Sequence, residues 1–278
     1  MPVSEIRKQT CREYGSFRGV SPGTIRRELG ALRAAINHDR EEGRLLGTVV
    51  VTLPAMPDGK DRWLTRNEAA ALIRAARKTT KARWHLPFFI LLGLYTGARK
   101  EAVLSLKWSQ IDLERRRIDF NPSDRERTSK GRPIIPIPRR LMTFLRLTKR
   151  RARPDDFVIY RIRKVKDETG WKKAVRAPIK DIKKSFHDAA CKAELTTHYQ
   201  ESKKKGPTKE GWPVTWVRPI TDVTPHVLRH TAASWMAQRR VSFPEIARYL
   251  GHSDSRTTER IYAHHNPDYL KGASESFD

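Results

Sequence analysis

The strongest constraint on the fold is a nearly continuous apolar run over residues 84–95, which reads WHLPFFILLGLY. A helix that is apolar on every side must be buried, so the run predicts a buried helix that is ended by Gly97. It is much shorter than the roughly 20 apolar residues that a membrane-spanning helix needs. The chain also opens without the basic and then apolar pattern of a signal peptide, so no membrane partner is expected.

Around this run, local patterns predict a mainly α-helical chain with a small antiparallel β-sheet, an α+β fold. Thr65 and Glu68 form a capping-box pattern that starts one helix. The spacing of apolar residues predicts a helix that begins at about residue 25 and is ended by Gly43, helices over 65–78, 141–148 and 179–193, and strands over 118–120, 133–137 and 157–160. Residues 194–218 show no clear period and carry a lysine run, which predicts an exposed insertion that contacts phosphates.

The length of the chain and the positions of its proline and glycine residues predict two domains of unequal size. A chain of 278 residues can bury a sizeable core. A short β-branched run, Val49 to Leu53, is followed by Pro54, Pro57 and Gly59, which indicates a linker over 54–61. We therefore expect a helical domain over 1–57 and a larger domain over 58–278.

The charge of the chain predicts a polyanionic partner. With 57 Lys and Arg against 31 Asp and Glu, the formal net charge is +26. DNA or RNA is the usual partner of such a chain, and a solvated basic surface without a ligand is the alternative. The two cysteines, Cys11 and Cys191, support neither a disulfide framework nor a zinc site. A reducing compartment fits, and we expect a cytoplasmic, nucleoid-associated protein.

Three motifs lie close together near the C-terminus. The first reads Thr224-Pro225-His226-Val227-Leu228-Arg229-His230, the second Tyr249-Leu250-Gly251-His252-Ser253, and the third Arg260-Ile261-Tyr262-Ala263-His264. Thr224 followed by proline is a typical helix start, and it places His226 and Arg229 on one face of the first turn. Ser242 and Glu245 predict a second capped helix, which ends at Gly251 and delivers His252.

These motifs, in this order and spacing, resemble the C-terminal half of the tyrosine recombinases, the phage integrase family of site-specific DNA recombinases. Thr96-Gly97-Ala98-Arg99 is similar to the first box of that family. The resemblance implies a tyrosine-recombinase catalytic domain preceded by a partial helical core-binding domain that clamps DNA. The family often has an acidic residue three positions after this arginine. Here that position is Ala102, so either the neighbouring Glu101 supports Arg99 or no carboxylate does.

The resemblance implies six catalytic residues, which are Arg99, Lys130, His226, Arg229, His252 and Tyr262. Arg99 and Arg229 would neutralise the phosphate, a task that suits the permanent charge and planar fork of a guanidinium. His252 would donate a hydrogen bond to the phosphate or share the role of base. Neither a cofactor nor a metal ion is expected.

The resemblance also implies a nucleophile and the residues that transfer protons to and from the reacting oxygens. Tyr262 would be the nucleophile, and a phenol with an ordinary pKa near 10 needs cationic surroundings and a proton acceptor. His226 would accept that proton, since imidazole titrates near neutrality. Lys130, in a β-hairpin, would protonate the leaving 5′ oxygen. His230 is expected to pack or hydrogen-bond structurally, and Tyr249 to belong to the core.

The resemblance implies cleavage and rejoining of duplex DNA through a 3′-phosphotyrosyl intermediate, without metal or ATP. It also implies a homo-tetramer on paired DNA sites, with a monomer possible without DNA. The sequence leaves two alternative functions open. One is an enzyme that relaxes supercoils in the manner of a type IB topoisomerase, and the other is a catalytically silent DNA-binding module.

Overall fold

The computed structural model describes residues 2–57, 61–80, 82–121, 131–150, 152–166, 172–205 and 213–276. The chain divides into two compact units, residues 1–60 and 61–278, where the sequence predicted domains of 1–57 and 58–278. Among the residues described, no helix combines the length and apolar character needed to cross a membrane.

The smaller unit is helical. It contains α1 (Lys8–Arg18) and α2 (Pro22–Glu41), and the side chain of Ser21 caps α2 by accepting a hydrogen bond from the backbone N–H of Thr24. The two helices and the segment that follows them share a small apolar core, whose buried members are Cys11, Ile25, Leu29, Ile36 and Val51. The predicted helix therefore exists, and its last residue is Glu41, two residues before the predicted end at Gly43.

The larger unit is mainly α-helical with small antiparallel sheets, which confirms the predicted fold class. Its described helices are α3 (Arg66–Arg77), α4 (Leu86–Thr96), α5 (Lys100–Leu104), α6 (Arg139–Lys149), α7 (Lys183–Lys192), α8 (Val227–Ala237), α9 (Phe243–Leu250), α10 (Ser255–Tyr262) and α11 (Lys271–Glu275). Its described strands are β1 (Ile111–Asp112), β2 (Arg117–Asp119), β3 (Ile134–Pro136), β4 (Tyr160–Lys166), β5 (Lys172–Pro178), β6 (His198–Lys205) and β7 (Pro213–Ile220).

Helix α4 lies in the centre of the larger unit, as the apolar run predicted. Leu86, Phe89 and Ile90 are fully buried, and Phe89 packs edge-to-face on Phe186 of α7 with ring centroids 6.4 Å apart. Trp84 is 82% exposed, so the buried helix begins two residues after the apolar run does. Gly97, in the left-handed region with φ of 59°, ends the helix as predicted.

The first three strands form one antiparallel sheet in the order β1-β2-β3, with Ile118 opposite Ile135. The strands predicted over 118–120 and 133–137 fall on β2 and β3. The strand predicted over 157–160 is wrong, since Phe157 makes only an isolated bridge with Lys107 and β4 begins at Tyr160.

Two hairpins, β4–β5 and β6–β7, were not predicted. The second begins at His198 and ends at Ile220, so all but its last two residues fall in the stretch 194–218, where the sequence shows no period. Its described side chains near the base, residues 198–201 and 217–218, are exposed. Alternation of apolar and polar residues marks a strand only when one face is buried, so a ladder with both faces in solvent gives no such signal.

Candidate active site

A buried arginine joins the ends of two helices at the centre of the candidate site. Arg229 in the first turn of α8 is only 4% exposed. Its Nη1 donates to the backbone oxygen of Gly97, which ends α4, at 2.9 Å, and to that of Leu250, the last residue of α9, at 2.8 Å. Carbonyl groups at helix C-termini lack partners within the helix and carry partial negative charge. Arg229 therefore satisfies both ends at once.

The second terminal nitrogen of Arg229 is a buried donor in need of an acceptor. Nη2 has no hydrogen-bond partner within the described part of the chain. Burial and then the charge of the nearby Arg99 lower the pKa of Arg229 to about 10. Two guanidinium groups held near each other repel, and an anion that accepts from both would relieve this repulsion. The arrangement can therefore bind a phosphate.

Arg99 connects the end of α4 to the β2–β3 hairpin. It is the N-cap residue of α5, two residues after Gly97, and its Nη1 donates to the backbone oxygen of Gly131 at 2.8 Å. Ala102 is buried, so the position where the family often has a carboxylate belongs to the core here. The Glu101 carboxylate pairs with the ammonium of Lys100 at 3.1 Å.

Two glycines allow the hairpin to contact the turn that carries His252. Gly251 ends α9 with φ of 69°, and a Cβ at this residue would lie 2.8 Å from the backbone oxygen of Gly131 and 2.8 Å from Cδ of Pro133. Such distances are too short for any side chain. The return strand of the hairpin is thus held against the end of α9. Lys130, the predicted general acid, immediately precedes Gly131 and lies outside the described residues.

We expect Gly251→Ala to destabilise the larger unit. Backbone strain at a positive φ costs about 1–3 kcal/mol, and the overlap with Gly131 adds to it because a backbone atom cannot rotate away. Urea unfolding should show the loss. Gly43→Ala is the control, since Gly43 has φ of 72° but nothing within 4 Å of an added Cβ. If the two variants lost equal stability, the close contact would contribute nothing.

His226 lies at the start of α8, although the helix does not start where the sequence predicted. The helix begins at Val227 with His226 as its N-cap residue, and no side-chain cap is formed. The predicted cap by the Thr224 side chain is therefore wrong, because the carbonyl of Thr224 instead closes a turn with the N–H of Val227 at 2.9 Å. The ring of His226 packs edge-to-face on His230, with centroids 4.8 Å apart.

His252 follows the left-handed Gly251, as predicted. Its Nδ1 lies 2.8 Å from the hydroxyl of the buried Thr258 on α10, which fixes the ring and leaves Nε2 as the nitrogen available to a substrate. The capping box predicted at Ser242 is wrong, since the Ser242 side chain makes no capping hydrogen bond. Helix α9 nevertheless begins at the next residue and ends where the sequence predicted.

Tyr262, the last residue of α10, is 2% exposed and packs in an apolar cluster with residues of α8 and α9. Its hydroxyl lies 2.8 Å from Nδ1 of His230. Burial raises the pKa of Tyr262 to about 12, against the opposing effect of Arg229. The phenol is therefore neutral in this arrangement. Its contact is with His230, for which the sequence predicted a structural hydrogen bond, rather than with His226.

His230 packs and hydrogen-bonds as the sequence predicts, but the sequence does not identify its partner, Tyr262. His230 follows His226 by four residues, so helical spacing alone places both rings on one face of α8. The contact between His230 and Tyr262 spans 32 residues and passes through a turn, and this distance explains why no local pattern signalled it.

Both predicted histidines are neutral at pH 7. Burial, followed by the positive charge of neighbouring groups, lowers the pKa of His226 to about 4 and that of His252 to about 4. Arg99 and Arg229 contribute to both shifts. A neutral imidazole has one lone pair and one N–H, so each can accept a proton or donate a hydrogen bond to a phosphate oxygen.

The lowered pKa of His252 predicts the direction of a pH effect on stability. Between about pH 6.5 and pH 4 the unfolded chain protonates this imidazole and the folded chain does not. The stability that His252 contributes to the folded state is complete above about pH 6.5 and is lost as the pH falls through about 4. Urea unfolding should therefore show a steeper loss of stability in the wild type than in His252→Gln. The exposed His38→Gln should keep the wild-type slope, and equal slopes in all three would contradict the assignment.

The fold and the site together define the class of protein to which the chain belongs. The structure of the Tn1549 transposon integrase in complex with transposon right end DNA superimposes with a TM-score of 0.70, at 17% identity, and covers 99% of this chain and 87% of that one. The fold is therefore that of a tyrosine-recombinase catalytic domain. The model of the phage integrase family matches residues 62–268, and the chain belongs to this family.

Two relatives match nearly the whole chain. The integrase of Salmonella phage P22 is 23% identical over 282 residues, which are 99% of this chain and 64% of that protein. A XerC-like tyrosine recombinase of Caldanaerobacter subterraneus subsp. tengcongensis is 23% identical over 309 residues, 100% of this chain and 72% of that protein. The resemblance found in the sequence is thereby confirmed. The chain spans just under two thirds of the P22 integrase.

Proposed function

We propose that this chain is a site-specific DNA recombinase that cleaves and rejoins duplex DNA through Tyr262. The observation that carries the proposal is the buried Nη2 of Arg229, which has no hydrogen-bond partner among the described residues and lies near a second guanidinium and a buried phenol. Phosphoryl transfer is catalysed mostly by positioning and by cationic donors around the phosphate oxygens. The net charge of +26 supports DNA as the substrate.

In the proposed reaction the scissile phosphate binds between Arg99 and Arg229, and Nε2 of His252 contacts one of its oxygens. The phenolic oxygen of Tyr262 attacks phosphorus, and the bond from phosphorus to the 5′ oxygen breaks. The products are a 3′-phosphotyrosyl bond and a free 5′ hydroxyl. Because the new bond retains the phosphodiester energy, an incoming 5′ hydroxyl can reverse the step without metal or ATP.

Two histidines are candidates for the phenol proton. His226 is the base implied by the resemblance, and His230 is the group whose Nδ1 lies 2.8 Å from the hydroxyl. Their rings are in contact, so we assign the proton to this pair and its first transfer to His230. Lys130 is proposed to protonate the leaving 5′ oxygen. Its neighbour Gly131 accepts a hydrogen bond from Arg99, which supports a place beside the phosphate.

The number of strand cleavages in the proposed reaction suggests how many subunits assemble on DNA. Exchange between two DNA sites needs four strand cleavages, which favours a homo-tetramer on paired sites; without DNA a monomer is possible. The helical unit over 1–60 is proposed to clamp the duplex. A nucleoid-associated location in the cytoplasm would follow from this substrate.

The test is a nicked suicide substrate drawn from the genomic neighbourhood of the coding sequence. Loss of the short 5′ fragment traps the intermediate, and we expect a covalent protein–DNA adduct whose linked peptide contains Tyr262. Relaxation of a supercoiled plasmid without paired sites would favour the topoisomerase-like alternative. DNA binding without any adduct would favour the silent binding module and would refute the proposal.

A further inference from the structure

Three potential metal ligands converge at the end of the segment that carries Tyr262. His264 and His265 lie in the 3₁₀ turn Ala263–His265, directly after α10. Nε2 of His264 lies 2.7 Å from Oδ2 of Asp61, and Nε2 of His265 lies 3.3 Å from Oδ1 of the same carboxylate. One ligand atom from each of the three residues lies within 4.8 Å of the others.

These separations approach those of a metal site. Zn²⁺ binds imidazole nitrogen and carboxylate oxygen at roughly 2.0–2.2 Å in a tetrahedron, which places neighbouring ligand atoms roughly 3.3 Å apart. The observed separations of 2.7 and 3.3 Å between the Asp61 oxygens and the two Nε2 atoms lie near this value, and rotation of the side chains would bring one atom of each residue around an ion. Two imidazoles and one carboxylate form a ligand set that suits Zn²⁺ and its neighbours in the transition series.

The neighbouring residues orient the three metal ligands and leave them accessible to an ion from solvent. The side chain of His265 is 9% exposed, and its ring packs edge-to-face on Trp63 with centroids 5.5 Å apart. Asp61 and His264 are about half exposed, so an ion can enter from solvent. The neighbouring Arg62 is engaged with Glu68 and Asp222. The sequence predicted no metal site because the two ligand segments are more than 200 residues apart, which no spacing pattern covers.

We propose that Asp61, His264 and His265 form a binding site for a divalent transition metal of the Zn²⁺ class. The fourth position is open to water. The site shares no residue with the proposed phosphate site, and the proposed chemistry of Tyr262 does not require a metal ion. A bound ion would join the turn that follows Tyr262 to the first residue of the larger unit. It would thereby limit the movement of the chain directly after the proposed nucleophile.

The experiment is a Co²⁺ titration of the untagged, metal-free chain of 278 residues without DNA, followed by displacement with Zn²⁺. We expect one equivalent of Co²⁺ to give the visible absorption of a tetrahedral site. Asp61→Asn and His264→Gln should each weaken binding by about tenfold or more, since even the loss of a group supporting a ligand has effects of that size. Both side chains are about half exposed, so both variants should fold, and thermal unfolding without metal verifies this.

A second pair of metal-binding groups supplies the control. Sγ of Cys191 lies 3.7 Å from Nδ1 of His187 on α7, which offers two ligands elsewhere in the unit. Cys191→Ser should bind Co²⁺ like the wild type. Absence of binding, unchanged affinity in Asp61→Asn and His264→Gln, or loss of binding in Cys191→Ser would each overturn the proposal. The readout is a spectrum of the free protein, so its failure leaves the proposed role of Tyr262 untouched.

Discussion

Tyr262→Phe is expected to abolish the covalent protein–DNA adduct completely while leaving DNA affinity near that of the wild type. The substitution removes one oxygen, the proposed nucleophile, and no other side chain can form the same ester at that position. The ring stays in its apolar cluster with α8 and α9, so packing is retained. The measurement is adduct formation on the nicked suicide substrate, resolved on a denaturing gel, beside a binding titration at fixed salt.

Two features of the structure sharpen this experiment. The hydroxyl lost in Tyr262→Phe contacts His230, so unfolding in urea should show a loss of about 0.5–1.5 kcal/mol, as expected for one hydrogen bond. Tyr269→Phe is the matched control, because Tyr269 is a half-exposed tyrosine seven residues further along the chain. It should retain full adduct formation. An adduct that persists in Tyr262→Phe and disappears in Tyr269→Phe would move the nucleophile to Tyr269.

The sequence predicts the parts of this molecule that depend on burial within one element. The buried helix α4, the left-handed ends at Gly97 and Gly251, and the capping box of Thr65 all follow from local spacing and are found in the structure. Each rests on a physical requirement within a few residues, either an apolar face to bury or an orphan backbone group to satisfy.

The parts that it does not predict depend on contacts across the chain or on exposed strands. The β4–β5 hairpin exposes most of β4, so no apolar alternation marks it. At the site, the bond between Tyr262 and His230 and the contact of Gly131 with Gly251 join segments 32 and 120 residues apart. The spacing of the motifs predicts which residues form the site. The hydrogen-bond partners of these residues depend on how the ends of α4, α8, α9 and α10 pack together in the folded chain.

Arg229→Lys is expected to combine a large loss of cleavage rate with a loss of stability. Lysine carries its donors on one nitrogen instead of a planar fork, so it cannot hold the carbonyls of Gly97 and Leu250 from one nitrogen and present a second nitrogen to the phosphate in fixed geometry. Loss of one well-placed donor costs about 10²–10³ in rate. A buried carbonyl left without its donor costs about 1–3 kcal/mol. Single-turnover cleavage and urea unfolding measure the two effects.

Separating these two effects tests whether Arg229 contacts the phosphate or only joins the two helix ends. Arg248→Lys, at an exposed position of α9, makes the same chemical change and should leave both quantities unchanged. If Arg229 acts on the phosphate through Nη2, the rate loss should persist at low temperature and without urea, where the folded variant is fully populated. If the rate recovers there to the wild-type value, the guanidinium serves folding alone, and Nη2 has no part in the reaction.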